Sequence, residues 1–181
     1  MSISEVILVN EADEPTGAME KMQAHKNGIL HRAFSVFIFN SAGDMLLQRR
    51  SELKYHSPGL WTNACCSHPA PGEETSDAAS RRLMEELGFE TPLSELFSFT
   101  YRTSFDNGLT ENEFDHVFAG IYDGDIEADA EEVMDYQYLA LDEIASKLEF
   151  YPEEFSSWFN IAFPRIEAWA KKELNIFQKP V

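Results

Sequence analysis

The stretch ETSDAASRRLMEELGF, residues 74–89, gives the clearest indication of local structure in the chain. Ser76 and Asp77 are residue types that cap the start of a helix, where acidic side chains are also favourable. Gly88 can end the helix, because glycine adopts the left-handed conformation without strain. The stretch therefore predicts a helix over residues 76–88.

Charged side chains on this helix are spaced so that they share faces. Arg82 and Glu86 are four residues apart, and Arg81 and Glu85 share a neighbouring face. One interpretation is a solvated helix surface that carries salt bridges. The other is a carboxylate that holds Mg²⁺ with a phosphate group, beside an arginine. The spacing alone leaves both interpretations open.

Strand patterns lie on both sides of the predicted helix. A glycine turn at residues 41–44 joins two strands into a hairpin, and the pair Asn107–Gly108 predicts a second tight turn. These patterns predict β-structure on both sides of the helix. The predicted strands cover residues 5–10, 32–40, 45–50, 96–105, 111–122 and 134–141.

The remaining segments are mostly helical in pattern. Residues 142–150 and 157–174 are predicted as closing helices, and Pro164 kinks or splits the second because proline lacks the N–H of a helix interior. Residues 18–25 fit either a helical turn or an extended edge. We expect an α+β fold, a mixed β-sheet flanked by helices like an α/β/α sandwich, in a single domain over residues 1–181.

Composition limits the classes of partner. The chain has 181 residues, 44% of them hydrophobic, and a formal net charge of −18. This charge argues against nucleic acid or an anionic membrane surface as the main partner. A phosphorylated substrate would need local basic residues or metal ions to hold it. Lys21, Arg49, Arg50 and Lys54 are among only 14 basic residues, and together they could supply such a patch.

The N-terminal stretch and the cysteines indicate a cytoplasmic protein. Residues 1–15 carry acidic residues early and only a short apolar run, unlike a secretory or transit peptide. No apolar run approaches the roughly 18 residues of a membrane span. Cys65 and Cys66 are adjacent and the only cysteines, so a disulfide between them would be strained. We expect reduced thiols in the cytoplasm.

Several imidazoles and carboxylates have spacings that would suit a metal site. His25 and His31 are six residues apart, and Glu111 and Glu113 point to the same side of a predicted strand. Each of these residues alone is more often a surface or packing residue. Imidazoles combined with carboxylates would suit Zn²⁺ or Mn²⁺.

Two motifs carry a resemblance to a known family. Residues 67–89 resemble the Nudix box of diphosphate-handling enzymes, apart from Ser67 where that box has glycine and Arg82 where it has glutamate. The stretch WTNACCSHP, residues 61–69, is similar to the cysteine motif of the type I isopentenyl-diphosphate isomerase branch of the Nudix superfamily. The matching box positions are Glu73, Arg81, Leu83, Glu85, Glu86, Gly88 and Phe89.

The resemblance implies a role for each matching residue. Cys66 would be the catalytic thiol, Glu113 the opposing acid or base, and Tyr101 a hydrogen-bond partner of that carboxylate. Glu86 and the backbone carbonyl of Cys66 would hold the Mg²⁺ that accompanies the diphosphate. The implied ligands of one divalent metal, Zn²⁺, Mn²⁺ or Mg²⁺, are His25, His31, His68, Glu111 and Glu113. The implied substrate contacts are Lys21, Arg50, Lys54, Arg82 and, at the hydrocarbon end, Trp158.

The implied reaction interconverts isopentenyl diphosphate and dimethylallyl diphosphate by moving a proton on and off the alkene. The implied partner is this small diphosphate, and the implied assembly is a monomer or weak dimer. Two alternatives remain at this point, a Nudix hydrolase of a diphosphate compound and a non-catalytic Nudix module that binds a ligand. We also expect residues 18–31 to become ordered when the metal binds, because they contain little apolar surface.

Overall fold

A computed structural model describes residues 4–177 of the chain, with side chains up to residue 174. The first three residues of the stretch compared with leader peptides lie outside the described residues. The strands are β1 (Glu5–Val9), β2 (Pro15–Glu20), β3 (His31–Phe39), β4 (Met45–Arg50), β5 (Trp61–Thr62), β6 (Cys65–Ser67), β7 (Ser94–Ser104), β8 (Thr110–Ile121) and β9 (Val133–Leu139). The α-helices are α1 (Lys21–Asn27), α2 (Thr75–Leu87), α3 (Leu141–Phe150) and α4 (Ser157–Phe177), with a 3₁₀ turn at Pro152–Glu154.

Strand β3 is the centre of a nine-stranded mixed sheet. One edge of β3 pairs antiparallel with β1, β6 and β4, with Ser35 opposite Cys66 and Phe39 opposite Met45. Its other edge pairs parallel with β8 along the whole strand. β7 and β8 form a long antiparallel hairpin, and β4 also pairs with β5 and β9. This mixed sheet with helices confirms the expected α+β class.

Both faces of the sheet are buried. Successive side chains of β3 point to opposite faces, so each face contributes to a core. Phe37 and Phe39 point into a core that contains Phe159, Phe163 and the rest of the buried side of α4. The intervening residues of β3 point into a second core against α2. The helices therefore cover opposite faces of the sheet, and β3 lies between them.

Helix α2 ends as predicted but starts differently. Gly88 follows its last turn with φ of 74°, and its N–H donates to the carbonyl of Met84. The predicted caps Ser76 and Asp77 are wrong, because the helix begins at Thr75 and Glu74 occupies the cap position without a side-chain hydrogen bond. Asp77 instead lies in the first turn, where a negative charge is favourable.

Pro164 does not split the last helix, which runs as a single element from Ser157 to Phe177. A proline removes one backbone hydrogen bond, but the buried residues Phe163 and Ile166 on either side of it anchor the helix to the sheet. Residues 18–25 contain both predicted structures, since β2 ends at Glu20 and α1 follows directly. Within the described residues, no helix is long and apolar enough to cross a membrane.

We predict that Gly88→Ala destabilises the fold more than Gly72→Ala. Both glycines have positive φ, 74° and 82°, so alanine is strained at either position by about 1–3 kcal/mol. At position 88, the added Cβ would also lie 2.7 Å from the carbonyl oxygen of Glu127, whereas position 72 has open space. Urea denaturation should give the lower free energy of unfolding for Gly88→Ala, and equal values for the two variants would contradict this account.

Candidate active site

A cavity of about 500 Å³ opens on one face of the sheet beside β3, β6 and β8. In the sheet register, His31 lies opposite Glu113 across the β3–β8 pair, and Ser35 lies opposite Cys66 across the β3–β6 pair. Residues two apart on a strand share a face, and paired residues point the same way. The four side chains therefore lie on the same face, with Cys66 and Glu113 on strands at opposite edges of β3.

Three imidazoles converge on the carboxylate of Glu113. The Nε2 atoms of His25, His31 and His68 lie 3.9, 3.5 and 2.8 Å from its Oε1. The ligand atoms of the four residues all lie within 4.8 Å of one another. These distances bring together residues from α1, β3, β8 and the loop that follows β6, and the group could hold a metal ion.

Backbone carbonyls fix the orientation of two of these imidazoles. The Nδ1 atoms of His25 and His31 lie 2.7 and 2.8 Å from the carbonyl oxygens of Lys21 and Ile29. A carbonyl only accepts, so each Nδ1 carries the hydrogen and each Nε2 presents a lone pair. Both Nε2 atoms are buried and have no hydrogen-bond partner among residues 4–174. Such orphaned lone pairs, aimed at a carboxylate, suit a divalent cation.

Burial and charge shift the pKa values of this group in a consistent way. Burial lowers the pKa of His25 to about 4 and that of His68 to about 3, so both imidazoles are neutral at pH 7. Burial opposes a charge on His31 as well, but Glu113 raises the pKa of His31. Burial also disfavours the Glu113 carboxylate, but the neighbouring imidazoles of His31 and His68 hold its pKa well below the usual range. The group thus combines the neutral imidazoles of His25 and His68 with an ionised carboxylate.

Glu111 lies next to this group and has a different set of neighbours. Its Oε1 lies 2.6 Å from Nε2 of His56, and together with His25 these residues form a second potential ligand group. The Tyr101 hydroxyl donates to Glu113 at 2.5 Å and lies 3.1 Å from Glu111. Burial, followed by the charge of Glu113, raises the pKa of Glu111 well above its usual value. Tyr101 therefore contacts both carboxylates, as expected for a partner of Glu113.

The two cysteines have opposite environments, and both are free thiols. Cys65 is fully buried in the core beneath α2, as expected for a small packing residue. Cys66 lines the cavity, where its thiol donates to Asn63 Oδ1 at 3.1 Å and accepts from Trp158 Nε1 at 3.0 Å. Burial raises the pKa of Cys66 to about 12, so the thiol keeps its proton at neutral pH.

Basic side chains cluster at another part of the same cavity, which Lys21, Arg50, Lys54 and Arg82 all line. Arg82 donates to Glu86 at 2.6 Å and to Glu132 at 3.2 Å, and Lys54 also pairs with Glu132. Burial lowers the pKa of Lys54, because a charged ammonium group is less favourable away from water. The cluster provides the local positive charge that a −18 chain needs to hold an anion.

Residues that match the Nudix box connect α2 to the loop before it and to the sheet. Arg81 donates to Glu73 at 2.7 Å and to Glu85 at 3.2 Å, so it ties the loop before the helix to the helix surface. Glu86 is buried and accepts from Gln48 Nε2 at 3.0 Å. Both predicted pairs, Arg81–Glu85 and Arg82–Glu86, form salt bridges, and both arginines line the cavity.

Comparison with known proteins identifies the family. The sequence model of the NUDIX domain matches residues 29–159. An isopentenyl-diphosphate Delta-isomerase of Pectobacterium atrosepticum is 52% identical over 92% of this chain and 93% of its own length. The chain belongs to the isopentenyl-diphosphate Delta-isomerase family. Isopentenyl-diphosphate Delta-isomerase 2 of Aromatoleum aromaticum is 48% identical over 90% of the chain and 86% of its own length.

Solved structures support the fold of this isopentenyl-diphosphate isomerase family member. The protein DR0079 of Deinococcus radiodurans superposes with a TM-score of 0.74, covering 89% of this chain and 98% of its own, at 21% identity. An Ap4A hydrolase of C. elegans superposes with a TM-score of 0.55 at 18% identity, covering 77% of this chain and 97% of its own. At these identities the likeness extends to the Nudix fold alone.

The structure places the residues that the resemblance implied in or beside the cavity. Arg49, which was predicted to join the basic patch, does not: its side chain donates to the carbonyl of Gly59 at 2.9 Å and lines a separate pocket, because neighbouring residues of β4 point to opposite faces of the sheet. Sequence reasoning missed three residues of the site: His56, which contacts Glu111, Asn63, which contacts Cys66, and Glu132, which pairs with Lys54 and Arg82. His56 and Glu132 have no partner at a recognisable spacing, so no local signal could have found them. Asn63 stands inside the cysteine motif, and its position there was the available signal.

We predict that His31→Ala weakens the binding of Zn²⁺ or Mn²⁺ by at least about 10- to 100-fold. Removing a residue that only hydrogen-bonds to a metal ligand already costs about that factor, so removing a ligand itself should cost no less. The variant deletes one of the two orphaned Nε2 donors beside Glu113. His116→Ala is the matched control, because His116 pairs with Asp13 and Glu95 instead. Competition with a metal chelator measures the affinities. Equal metal affinity in His31→Ala and wild type would contradict a site at this group.

Proposed function

We propose that this chain interconverts isopentenyl diphosphate and dimethylallyl diphosphate. The observation that carries the proposal is the placement of Cys66 and Glu113 at opposite edges of β3, on the same face and lining the same cavity. The names of relatives 52% and 48% identical to the chain support the same reaction. The substrate is a small diphosphate, and the reduced thiols support a cytoplasmic location.

The reaction moves a carbon–carbon double bond by one position and needs one proton delivered and another removed. One member of the Cys66–Glu113 pair gives its proton to the terminal alkene carbon, which leaves positive charge on the tertiary carbon. The other member takes a proton from the next carbon, and the electrons of that C–H bond form the new double bond. The reverse reaction exchanges the two roles, so both groups must be held within reach of their carbons.

We assign His25, His31, His68 and Glu113, with Glu111 beside them, as the ligands of one divalent cation. The lone pairs of the two oriented imidazoles and the ionised carboxylate fit Zn²⁺, Mn²⁺ or Mg²⁺. When bound, the cation supplies fixed positive charge that orients Glu113 and tunes its proton affinity. Tyr101 holds the other oxygen of the same carboxylate at 2.5 Å. This arrangement limits the freedom of the acid/base group.

The diphosphate is the handle of the substrate and is not cleaved. Lys21, Arg50, Lys54 and Arg82 surround the part of the cavity where it would bind, with the arginines suited to bidentate contact. Glu86, with the backbone carbonyl of Cys66, would hold the Mg²⁺ that accompanies it. The indole of Trp158 lines the same cavity and would cover the hydrocarbon end. An aromatic ring face there stabilises a nearby cation by about 2 kcal/mol when water is excluded.

Hydrolysis of a diphosphate is the main alternative, because the Nudix box serves that reaction in hydrolases. In this chain Arg82 replaces a box glutamate and donates to Glu85 and Glu86. The arginine both removes one carboxylate and neutralises two others, which opposes a multi-metal hydrolytic centre. Phosphorus and proton NMR of the metal-loaded protein with isopentenyl diphosphate or a nucleotide panel separates the two reactions. Formation of dimethylallyl diphosphate supports the proposal, and released phosphate without it would refute it.

We predict that Cys66→Ala lowers kcat by at least about 100- to 10,000-fold, the range for loss of a general acid or base. Cys65→Ala is the matched control, since the neighbouring thiol packs beneath α2 and does not line the cavity. It should keep most of the activity while losing some stability. Steady-state conversion of isopentenyl diphosphate measures both variants, and equal rates for Cys66→Ala and wild type would remove Cys66 from the reaction.

A further inference from the structure

Asn63 is a fully buried residue of the cysteine motif to which the reaction assigns no role. It lies between β5 and β6, directly behind the thiol of Cys66. Three donors converge on its side-chain oxygen Oδ1: the Thr62 hydroxyl at 2.9 Å, the Cys66 thiol at 3.1 Å and the Trp158 indole N–H at 3.1 Å. A single amide oxygen therefore connects β5, β6 and α4.

The orientation of this amide is determined by its other end. Nδ2 of Asn63 lies 3.0 Å from the carbonyl oxygen of Val36 and 2.9 Å from that of Cys65. Both carbonyls can only accept, so the nitrogen must face them and the oxygen must face Cys66 and Trp158. Reversing the amide would lose two buried hydrogen bonds and place two oxygens against each other. The position of Oδ1 is thus fixed by β3 and β6.

The indole and the thiol also contact each other directly. Trp158 Nε1 lies 3.0 Å from Cys66 Sγ, so Asn63, Cys66 and Trp158 form a closed triangle of hydrogen bonds. Cys66 and Trp158 come from distant parts of the chain, a short strand and the long last helix. Without Oδ1, the thiol would lose its acceptor at 3.1 Å and keep the weaker contact with the Ser35 hydroxyl at 3.7 Å, and the indole would lose one of its two acceptors in a buried place.

We propose that Asn63 is a positioning residue that sets the location of both the Cys66 sulfur and the Trp158 ring relative to the substrate alkene. The proposal rests on the proposed function, in which Cys66 exchanges the proton and Trp158 covers the hydrocarbon. Asn63 does not touch the substrate, and its effect passes through the two side chains that it holds. Within residues 4–174, no side chain of the basic cluster forms a hydrogen bond with Asn63. Its loss should therefore change kcat and leave KM nearly unaltered.

The test compares Asn63→Ala and Asn63→Asp with the control Thr62→Val. Asn63→Ala removes Oδ1, whereas Asn63→Asp keeps an acceptor of the same shape near Cys66 and Trp158. Burial favours the neutral acid at this position, whose O–H keeps one of the two hydrogen bonds to the carbonyls of Val36 and Cys65. Thr62→Val removes a different buried hydrogen bond to the same oxygen but leaves the triangle intact. A misplacement of about 1 Å lowers a rate by about 100-fold, so kcat of Asn63→Ala should fall by about that factor. KM should stay within about threefold of wild type, and Asn63→Asp should recover part of kcat.

A second measurement reports on the hydrogen bonds of the Trp158 indole and does not depend on turnover. The chain has three tryptophans, so a ¹⁵N-correlated NMR spectrum gives three indole N–H signals, and Trp158→Phe identifies that of Trp158. In Asn63→Ala this signal should move upfield while the other two stay, and in Thr62→Val none should move far. If the wild type shows no isomerisation, the proposed function fails, and the indole signal alone decides whether Asn63 holds the triangle.

The outcomes are distinguishable. A folded Asn63→Ala protein with kcat within about threefold of wild type would overturn the proposal. So would a Thr62→Val protein that loses as much activity as Asn63→Ala, because the role would then be structural only. If Asn63→Ala does not fold, Asn63→Asp provides the test. A Trp158 signal at the wild-type position, together with a kcat above that of Cys66→Ala, supports the proposal. A kcat equal to that of Cys66→Ala overturns it.

Discussion

The buried carboxylate of Glu113 is the constraint on which the site depends. An ionised carboxylate removed from water is strongly unfavourable unless other groups replace its hydration. Here His31 and His68 approach one oxygen and the Tyr101 hydroxyl donates to the other. The parallel register of β3 and β8, with His31 opposite Glu113, brings these groups together. A one-residue shift of β8 against β3 would turn Glu113 to the opposite face of the sheet from His31.

The second constraint is electrostatic. A chain with net charge −18 repels a diphosphate at long range, so recognition depends on charges within the cavity, where screening is weak. Arg82 and Lys54 converge there on the carboxylate of Glu132, which offsets part of their charge while holding them in place. In the proposed function, an incoming diphosphate would offer the same two cations a stronger anion. The arrangement explains how an acidic protein keeps a compact positive site.

The sequence was sufficient for local structure wherever one residue type decides it. Gly88 ends α2 because the backbone there has positive φ. The pair Asn107–Gly108 lies in the turn that connects β7 to β8. The start of α2 was mispredicted because Glu74 occupies the cap position without a side-chain hydrogen bond. The residue types that usually cap a helix therefore did not indicate where this helix begins. Pro164 was given too much weight because packing of the helix against the sheet is a tertiary effect that local propensity does not contain.

The motifs were sufficient to predict most residues of the candidate site, but not the side chains that hydrogen-bond to them. Cys66 and Cys65 are indistinguishable by composition, and only strand alternation separates a cavity thiol from a core thiol. The contacts of His56 with Glu111 and of Trp158 with Asn63 join segments far apart in the chain, and no spacing in the sequence encodes them. Such partners become visible only when the sheet is assembled.

The most direct test of the account follows solvent deuterium into the substrate. The metal-loaded protein is incubated in D₂O with isopentenyl diphosphate and Mg²⁺, and proton NMR locates the label on the carbons. The account predicts that wild type and a Glu95→Gln control, altered at a carboxylate paired with His116, add deuterium at both ends of the three-carbon unit with the diphosphate intact. It predicts that Glu113→Gln adds none above background. Incorporation by Glu113→Gln at the wild-type rate would contradict the central role of this carboxylate.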